Sequence, residues 1–165
     1  MLGMSLATFT FLHVLISLIG IGTGLAVMYG FLRGYRMDLL TAAFLATTAL
    51  TSITGFGFSY TQLLPSHKVG MISLVLLAAA IPARYVFHLA GPWRLTYVVT
   101  AAMALYLNCF VLVAQLFMKV PALKALAPTQ KEPPFLVAQL MVLALFIGLT
   151  ILAARRFRIG SVQTA

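Results

Sequence analysis

The chain has 165 residues, of which 62% are hydrophobic and only 8% are charged, and its net charge is +9 at pH 7. Soluble domains usually carry about a quarter of charged residues, and a soluble domain of this size has too large a surface to hide so much apolar area. The composition excludes an ordinary soluble domain and predicts a single bundle in lipid. Nucleic acid is excluded as a partner, because the basic residues lie in short clusters between long apolar runs, as residues beside membrane helices do.

Five apolar runs are long enough to cross a membrane, which takes about 20 residues in a helix. Lipid cannot satisfy free backbone groups, so each run is predicted to be a helix rather than a strand. The sequence therefore predicts an all-α polytopic bundle that forms a single membrane domain over 1–165. Its five transmembrane helices are expected at about 6–29, 38–58, 69–89, 95–118 and 134–154.

Residues that start or stop helices separate these runs. Arg33 follows the first run, and Asp38 lies where the second begins, a position at which a carboxylate interacts favourably with the helix dipole. Pro82 within the third run predicts a kink or an early end. Gly91 closes the third run, and Pro133 opens the fifth, where a proline loses no hydrogen bond.

The basic residues predict the orientation of the bundle. No Lys or Arg precedes the first run, so it is interpreted as a mature helix and not as a signal peptide. With five spans, one side carries seven arginines and the other four lysines, which places the arginine side in the cytoplasm and the N-terminus outside. The two sets are Arg33, Arg36, Arg84, Arg94, Arg155, Arg156 and Arg158 against Lys68, Lys119, Lys124 and Lys131.

Polar side chains inside a membrane are costly and therefore indicate sites of function. With the predicted orientation, most of the strongly polar groups fall in the outer half of the bundle, and Asn108 lies at mid-depth. We expect them to line a pocket that opens to the outside and binds a small molecule. The candidate ligand-binding residues are His13, Thr51, Thr54, His67, Asn108, Gln115 and Gln139. The alternative is packing, in which Thr bonds to its own backbone and Asn or Gln bonds to a neighbouring helix.

The candidate ligands are a quinone, a haem or a transported solute. A haem held by His13 and His67 is the least favoured, because the predicted depths of the two residues differ by about 10 Å at 1.5 Å per residue. The lone Cys109 lies in an apolar run and offers no metal site. Zinc is disfavoured as well, since neither histidine has a carboxylate partner.

Three residues at the cytoplasmic end form a second candidate site, for lipid headgroups. Arg84 and His88 are four positions apart, so they share one face of the third predicted helix, and Arg94 follows in the next loop. A different pair, Gly20 and Gly24, has the spacing that lets helices approach closely. Packing inside the bundle is favoured over dimerisation for these glycines, because four other helices are present.

The sequence contains no motif of a known catalytic class. It has no glycine-rich phosphate loop, no HExxH and no GxSxG. Asp38 and Glu132 are the only acidic residues and are predicted on opposite sides of the membrane, so paired-carboxylate catalysis is excluded. We therefore predict no catalytic residue.

Two stretches carry a resemblance that extends over most of the chain. These are 45–58, which reads LATTALTSITGFGF, and 124–139, which reads KALAPTQKEPPFLVAQ. They resemble a group of small bacterial inner-membrane proteins with no established activity, which implies a multi-pass inner-membrane location and carries over no functional residue. The five-helix tryptophan-rich sensory proteins match in length and helix number, but Trp93 is the only tryptophan here.

Two functions are compatible with these observations. The first is a membrane protein that binds a small molecule or cofactor in the outer polar pocket. The second is a non-catalytic accessory subunit that packs against other membrane subunits in a larger complex. The first predicts an open cavity lined by the polar residues, and the second predicts those residues bonded to one another in a dry core. The residues 119–133 connect the last two helices either as a plain loop or as a short helix on the membrane surface.

Overall fold

The computed structural model describes residues 5–58 and 65–158, together with the backbone of residues 163 and 164. Within them the protein is helical apart from one two-residue parallel strand pair. The helices are α1 (Leu6–Arg33), α2 (Asp38–Gly55), α3 (Pro65–Tyr85), α4 (Pro92–Lys119), α5 (Pro121–Leu126) and α6 (Pro133–Arg156). The strands are β1 (Tyr35–Arg36) and β2 (Gln163–Thr164), which pair in parallel.

Four of the described helices are long and apolar enough to cross a membrane: α1, residues His67–Tyr85 of α3, α4 and α6. The second predicted span, α2, is not among them. It has 18 residues, begins at Asp38 and carries four threonines and a serine from Thr47 to Thr54. These polar side chains lower its hydropathy although its length is that of a short span.

The helix α2 runs antiparallel to α1 along most of its length. His13 contacts Thr54 at the end where α1 begins, and Gly24 lies against Phe44 about three turns deeper. Gly34, in the left-handed conformation with a φ of 74°, ends α1 and allows the chain to turn back. The two helices therefore cover the same depth of the bundle.

The arginine-rich ends of the helices lie at the same end of the bundle. The strand pair places the α1–α2 connection beside the C-terminal tail. Arg94, at the start of α4, donates a 2.9 Å hydrogen bond to the carbonyl of Ala154 and a second bond to that of Phe157, at the end of α6. Arg84, at the end of α3, pairs with Asp38, at the start of α2.

The third helix differs from its predicted bounds at both ends. It begins at Pro65 and ends at Tyr85, three residues after the internal Pro82. His88 and Leu89 follow in a tight turn with φ angles of 48° and 61°. Arg84 and His88 therefore do not share a helical face, because the proline-shortened helix ends between them.

The core lies around α4, which contacts each of the other helices. Its buried side chains include Tyr97 and Leu105, which pack with Phe31 of α1 and Phe44 of α2. Many large apolar side chains face outward instead, among them Met141 at 68% exposure. An apolar exterior of this kind is suited to lipid, since a soluble monomer rarely exposes large contiguous apolar patches.

Candidate functional site

A cavity of about 450 Å³ lies between α1, α2, α3 and α4. It is at the end of the bundle where α1 and α3 begin and where α2 and α4 finish. Its volume is in the range of small-molecule sites, which are mostly apolar with a few convergent polar groups. The apolar part of the wall includes Val14, Leu18, Ile21, Val111, Leu112 and Leu116.

Five of the seven predicted ligand-binding residues line this cavity: His13, Thr51, His67, Asn108 and Gln115. They come from four different helices, so the fold gathers residues that are far apart in the chain. The sequence-based expectation that polar groups collect at one end of the bundle agrees with this geometry. Thr54 and Gln139, the other two candidates, are placed elsewhere.

Thr54 lies behind His13 and contacts its ring. The distance between His13 Nδ1 and Thr54 Oγ1 is 2.8 Å, and Thr54 Oγ1 also donates to the Leu50 carbonyl at 2.7 Å. An edge-on contact with Phe58, whose ring centroid is 5.1 Å away, packs against the imidazole on another side. Thr54 is therefore a positioning residue for His13 and not part of the wall.

Gln139 is buried behind the cavity on α6. Its amide nitrogen donates to the carbonyl of Phe110 at 3.1 Å, and its Oε1 has no hydrogen-bond partner among the described residues. The predicted depth is compatible with this position, but the side chain points to the backbone of α4 and not into the cavity. Gln139 therefore does not line the cavity, in contrast to the prediction.

Other polar wall residues bond to neighbouring helices. Asn108 donates from its amide nitrogen to Thr48 Oγ1 at 3.1 Å. Ser17 Oγ donates to the carbonyl of His13 at 2.7 Å and also lies 3.3 Å from Thr51 Oγ1. These bonds fix α1 and α4 against α2, and they are the pairings that the packing alternative predicts.

His67 is buried, with 3% of its surface exposed, and its ring stacks on Phe56 at 5.7 Å between centroids. The sequence placed it at the outer mouth of the third helix. Because α3 starts at Pro65, His67 instead lies in the first helical turn and faces the same cavity as His13. No group of three or more His, Cys, Asp or Glu side chains that could hold a metal is found in the described parts of the chain.

Gln115 and Lys119 line the cavity toward the end of α4. Gln115 is partly buried, and its amide makes no hydrogen bond to the described residues, so both its donors and its acceptor are available to a ligand. Lys119 is the last residue of α4 and is exposed at the mouth. Sequence analysis missed Lys119, together with Ser52, Phe56 and Ser73. The spacing of Ser52 and Gly55, three residues apart on α2, is a signal that indicates this face.

The connection between α4 and α6 folds against α4 beside the cavity. It contains the short helix α5, and Gln130 donates to the Ala114 carbonyl at 2.7 Å. Thr129 and the backbone of Lys131 bond to the carboxylate of Glu132. Desolvation raises the pKa of Glu132, but these hydrogen bonds outweigh it, and the pKa lies below its ordinary value. Of the two sequence-based alternatives for residues 119–133, the structure has the short helix.

The predicted headgroup residues at the opposite end do not act together. Arg84 is 4% exposed and binds Asp38, so its guanidinium is used inside the bundle. Arg94 caps the end of α6, and it also borders an open surface depression with Arg155. His88 is exposed. The structure therefore uses Arg84 in an ion pair inside the bundle and not at the predicted headgroup site.

The fold and the cavity define an all-helical protein with four candidate membrane-spanning helices, which is the organisation of a multi-pass membrane protein. No family model, curated protein or solved structure matches the chain.

Proposed function

We propose that α2 also crosses the membrane, so that the chain spans it five times. Its 18 residues extend about 27 Å at 1.5 Å per residue, close to the roughly 30 Å of a bilayer core. It lies antiparallel against α1, from His13 and Thr54 at one end to Gly24 and Phe44 deeper in the bundle. Because α1 is long and apolar enough to span the membrane and α2 covers the same depths beside it, α2 lies in the same lipid layer.

The proposed orientation places the N-terminus outside and the C-terminus in the cytoplasm of a bacterial inner membrane. Arg84 is buried inside the bundle and paired with Asp38, so it is left out of the count of flanking basic residues. Six arginines remain at one end against four lysines at the other, which supports the same side as cytoplasmic. These are Arg33, Arg36, Arg94, Arg155, Arg156 and Arg158 against Lys68, Lys119, Lys124 and Lys131.

Cysteine labelling checks this topology. In a Cys109→Ala background, we expect Ser5→Cys and Lys124→Cys to react with a membrane-impermeant maleimide in intact spheroplasts. Arg158→Cys should react only after permeabilisation. Reaction of Ser5→Cys and Arg158→Cys from the same side would contradict five spans.

We further propose that the protein binds a small, largely apolar molecule with a polar head in the cavity at the outer end. The observation that supports this most is the cavity itself, of about 450 Å³, with the unbonded amide of Gln115 and the ring of His13 in an otherwise apolar wall. Unbonded polar groups in a membrane interior are costly unless a ligand or water satisfies them. The ligand classes that fit are a quinone, another amphipathic solute or a haem, and the binding function needs no catalytic residue.

A cavity-filling variant tests ligand binding. Val111→Phe adds a ring to the α4 wall, and Val137→Phe makes the same change on the exposed face of α6 as a matched control. We expect protein purified in mild detergent to retain about one extractable small molecule per chain, which Val111→Phe lowers at least tenfold and Val137→Phe leaves unchanged. Mass spectrometry identifies a lipophilic molecule, and a Soret band identifies a haem. Equal retention by both variants would contradict a ligand in this cavity.

The accessory-subunit function is favoured by a separate observation, namely the pairing of polar groups across helices. Three hydrogen bonds between side chains of different helices satisfy part of the polar groups: His13 with Thr54, Asn108 with Thr48, and Ser17 with Thr51. This function predicts that the chain co-purifies with other membrane subunits at fixed stoichiometry and that Val111→Phe has no consequence for their assembly.

A further inference from the structure

The hydrogen bonds around Thr54 fix the tautomer of His13. A threonine hydroxyl has one hydrogen to donate. Thr54 Oγ1 lies 2.7 Å from the Leu50 carbonyl, and two oxygens at that distance without a hydrogen between them would repel. The hydroxyl hydrogen therefore points to Leu50, and the 2.8 Å contact with His13 must be donated by Nδ1–H.

A neutral imidazole carries one N–H, so its other nitrogen is left with a lone pair. His13 Nε2 is then a hydrogen-bond acceptor in the wall of the cavity, and it has no partner among the described residues. Gln115 adds an unbonded amide to the same wall. The wall thus presents one fixed acceptor and one group that can either donate or accept.

The charge of the cavity excludes one class of donor ligand. An ammonium group could donate to Nε2, but no carboxylate is present among the wall residues that the structure describes, and Lys119 stands at the mouth. A cation there would be repelled and uncompensated. The donor is therefore a neutral group such as a hydroxyl.

The shape and the aromatic groups indicate what carries the hydroxyl. Phe56 and Phe58 line the cavity beside the two histidine rings, which offers flat apolar surfaces to a ring. Ile21 lies about 12 Å deeper than His13 at 1.5 Å per residue, so the cavity is elongated and apolar at depth. We propose that the ligand is a hydroquinone-type amphipath, with a phenolic hydroxyl donated to His13 Nε2 and a short apolar chain reaching inward; this rests on the binding function proposed above.

The test compares a prenylated hydroquinone with its dimethyl ether, which keeps the ring and the chain but has no hydroxyl hydrogen. Binding is measured anaerobically to the full chain in lipid nanodiscs. We expect the hydroquinone to bind about tenfold more tightly, the size of one good hydrogen bond. His13→Phe should abolish the preference while the ether still binds.

Thr54 provides the control for the tautomer. Thr54→Val keeps the side-chain shape but removes the acceptor for Nδ1–H, so we expect the preference to fall, whereas Thr54→Ser should keep it. ¹⁵N NMR of the ligand-free protein at about pH 8, where an unperturbed imidazole is neutral, should show a protonated Nδ1 and a bare Nε2 in the wild type and in Thr54→Ser.

Three results would overturn this proposal: a protonated Nε2 in the wild type, an ether that binds as tightly as the hydroquinone, or no binding of either compound. The last result is distinguishable from failure of the binding function itself. A chain that retains another molecule, lost in Val111→Phe, still has a ligand cavity, but its ligand is of a different class.

Discussion

Asp38→Ala is expected to destabilise the protein by about 3 kcal/mol, the low end of the range for leaving a buried charge without its partner. The two partners are unequally buried, since the Arg84 side chain is 3% exposed and that of Asp38 is 59% exposed. Removal of the exposed carboxylate leaves a guanidinium in the protein interior with no counter-charge. The aromatic rings of Tyr85 and Tyr97, with centroids 5.7 and 5.3 Å from Arg84 Cζ, compensate only in part.

Replacement of the arginine of this ion pair is expected to destabilise the protein less. Arg84→Met leaves Asp38 in an exposed position, 3.5 Å from Arg36, and replaces the guanidinium stem with apolar volume. Its expected cost is about 1 kcal/mol, since an apolar replacement of a buried charge is often nearly neutral. The double variant should resemble Arg84→Met alone, because no unpaired buried charge remains.

Reversible unfolding in mixed detergent micelles measures these differences. Arg36→Gln is the matched control: Arg36 contacts the same carboxylate but is 40% exposed, and its loss should change the stability by less than about 1 kcal/mol. Strictly additive costs for Asp38→Ala and Arg84→Met would contradict the role assigned to the ion pair.

The sequence predicts the approximate bounds of the apolar helices, because a run of apolar residues and a helix stop are local properties of the chain; the fifth predicted span, α2, is not among the four candidate spans of the structure. Gly34 and Pro133 lie at helix ends whose positions the sequence predicts to within a few residues. The depth of a polar group follows from the 1.5 Å rise per residue. For this reason the sequence groups His13, Asn108 and Gln115, which line one cavity in the structure.

The direction in which a side chain points could not be predicted. A helix that is apolar all round has no polar face to show how it is rotated about its axis. Gln139 and Thr54 therefore do not line the cavity, since one points at the backbone of α4 and the other at His13. The pairing of Arg84 with Asp38 was missed for a related reason, since it depends on how α3 lies against α2.

Gly24→Ala is expected to destabilise the protein by about 2 kcal/mol. A methyl group at Gly24 would lie 2.5 Å from Leu105 Cδ1 and 2.8 Å from Phe44 Cδ2, distances that require one of them to move. Both side chains are 1% exposed and packed on all sides, so neither has free space. Overpacking of this kind costs about 1–3 kcal/mol, which exceeds the up to about 1 kcal/mol that alanine gains over glycine in a helix.

Gly22→Ala is the matched control, two residues away on the same helix. No atom lies within 4 Å of a methyl group at this position, so only the gain in helix propensity remains. We expect Gly22→Ala to leave the stability unchanged or raise it by up to about 1 kcal/mol. Both variants replace a glycine with alanine, but only Gly24→Ala should lower the free energy of unfolding when both are measured in the same micelles.

The same pair of variants separates internal packing from self-association as the role of the closely spaced glycines. Gly20 and Gly24 face Thr47 and Phe44 of the same chain, so α1 and α2 meet at these residues. Gly24→Ala should therefore lower stability equally at all protein concentrations, because packing within one chain does not depend on concentration. A loss of stability that appears only in concentrated protein, with a change in mass on size-exclusion light scattering, would instead place these glycines at a dimer interface.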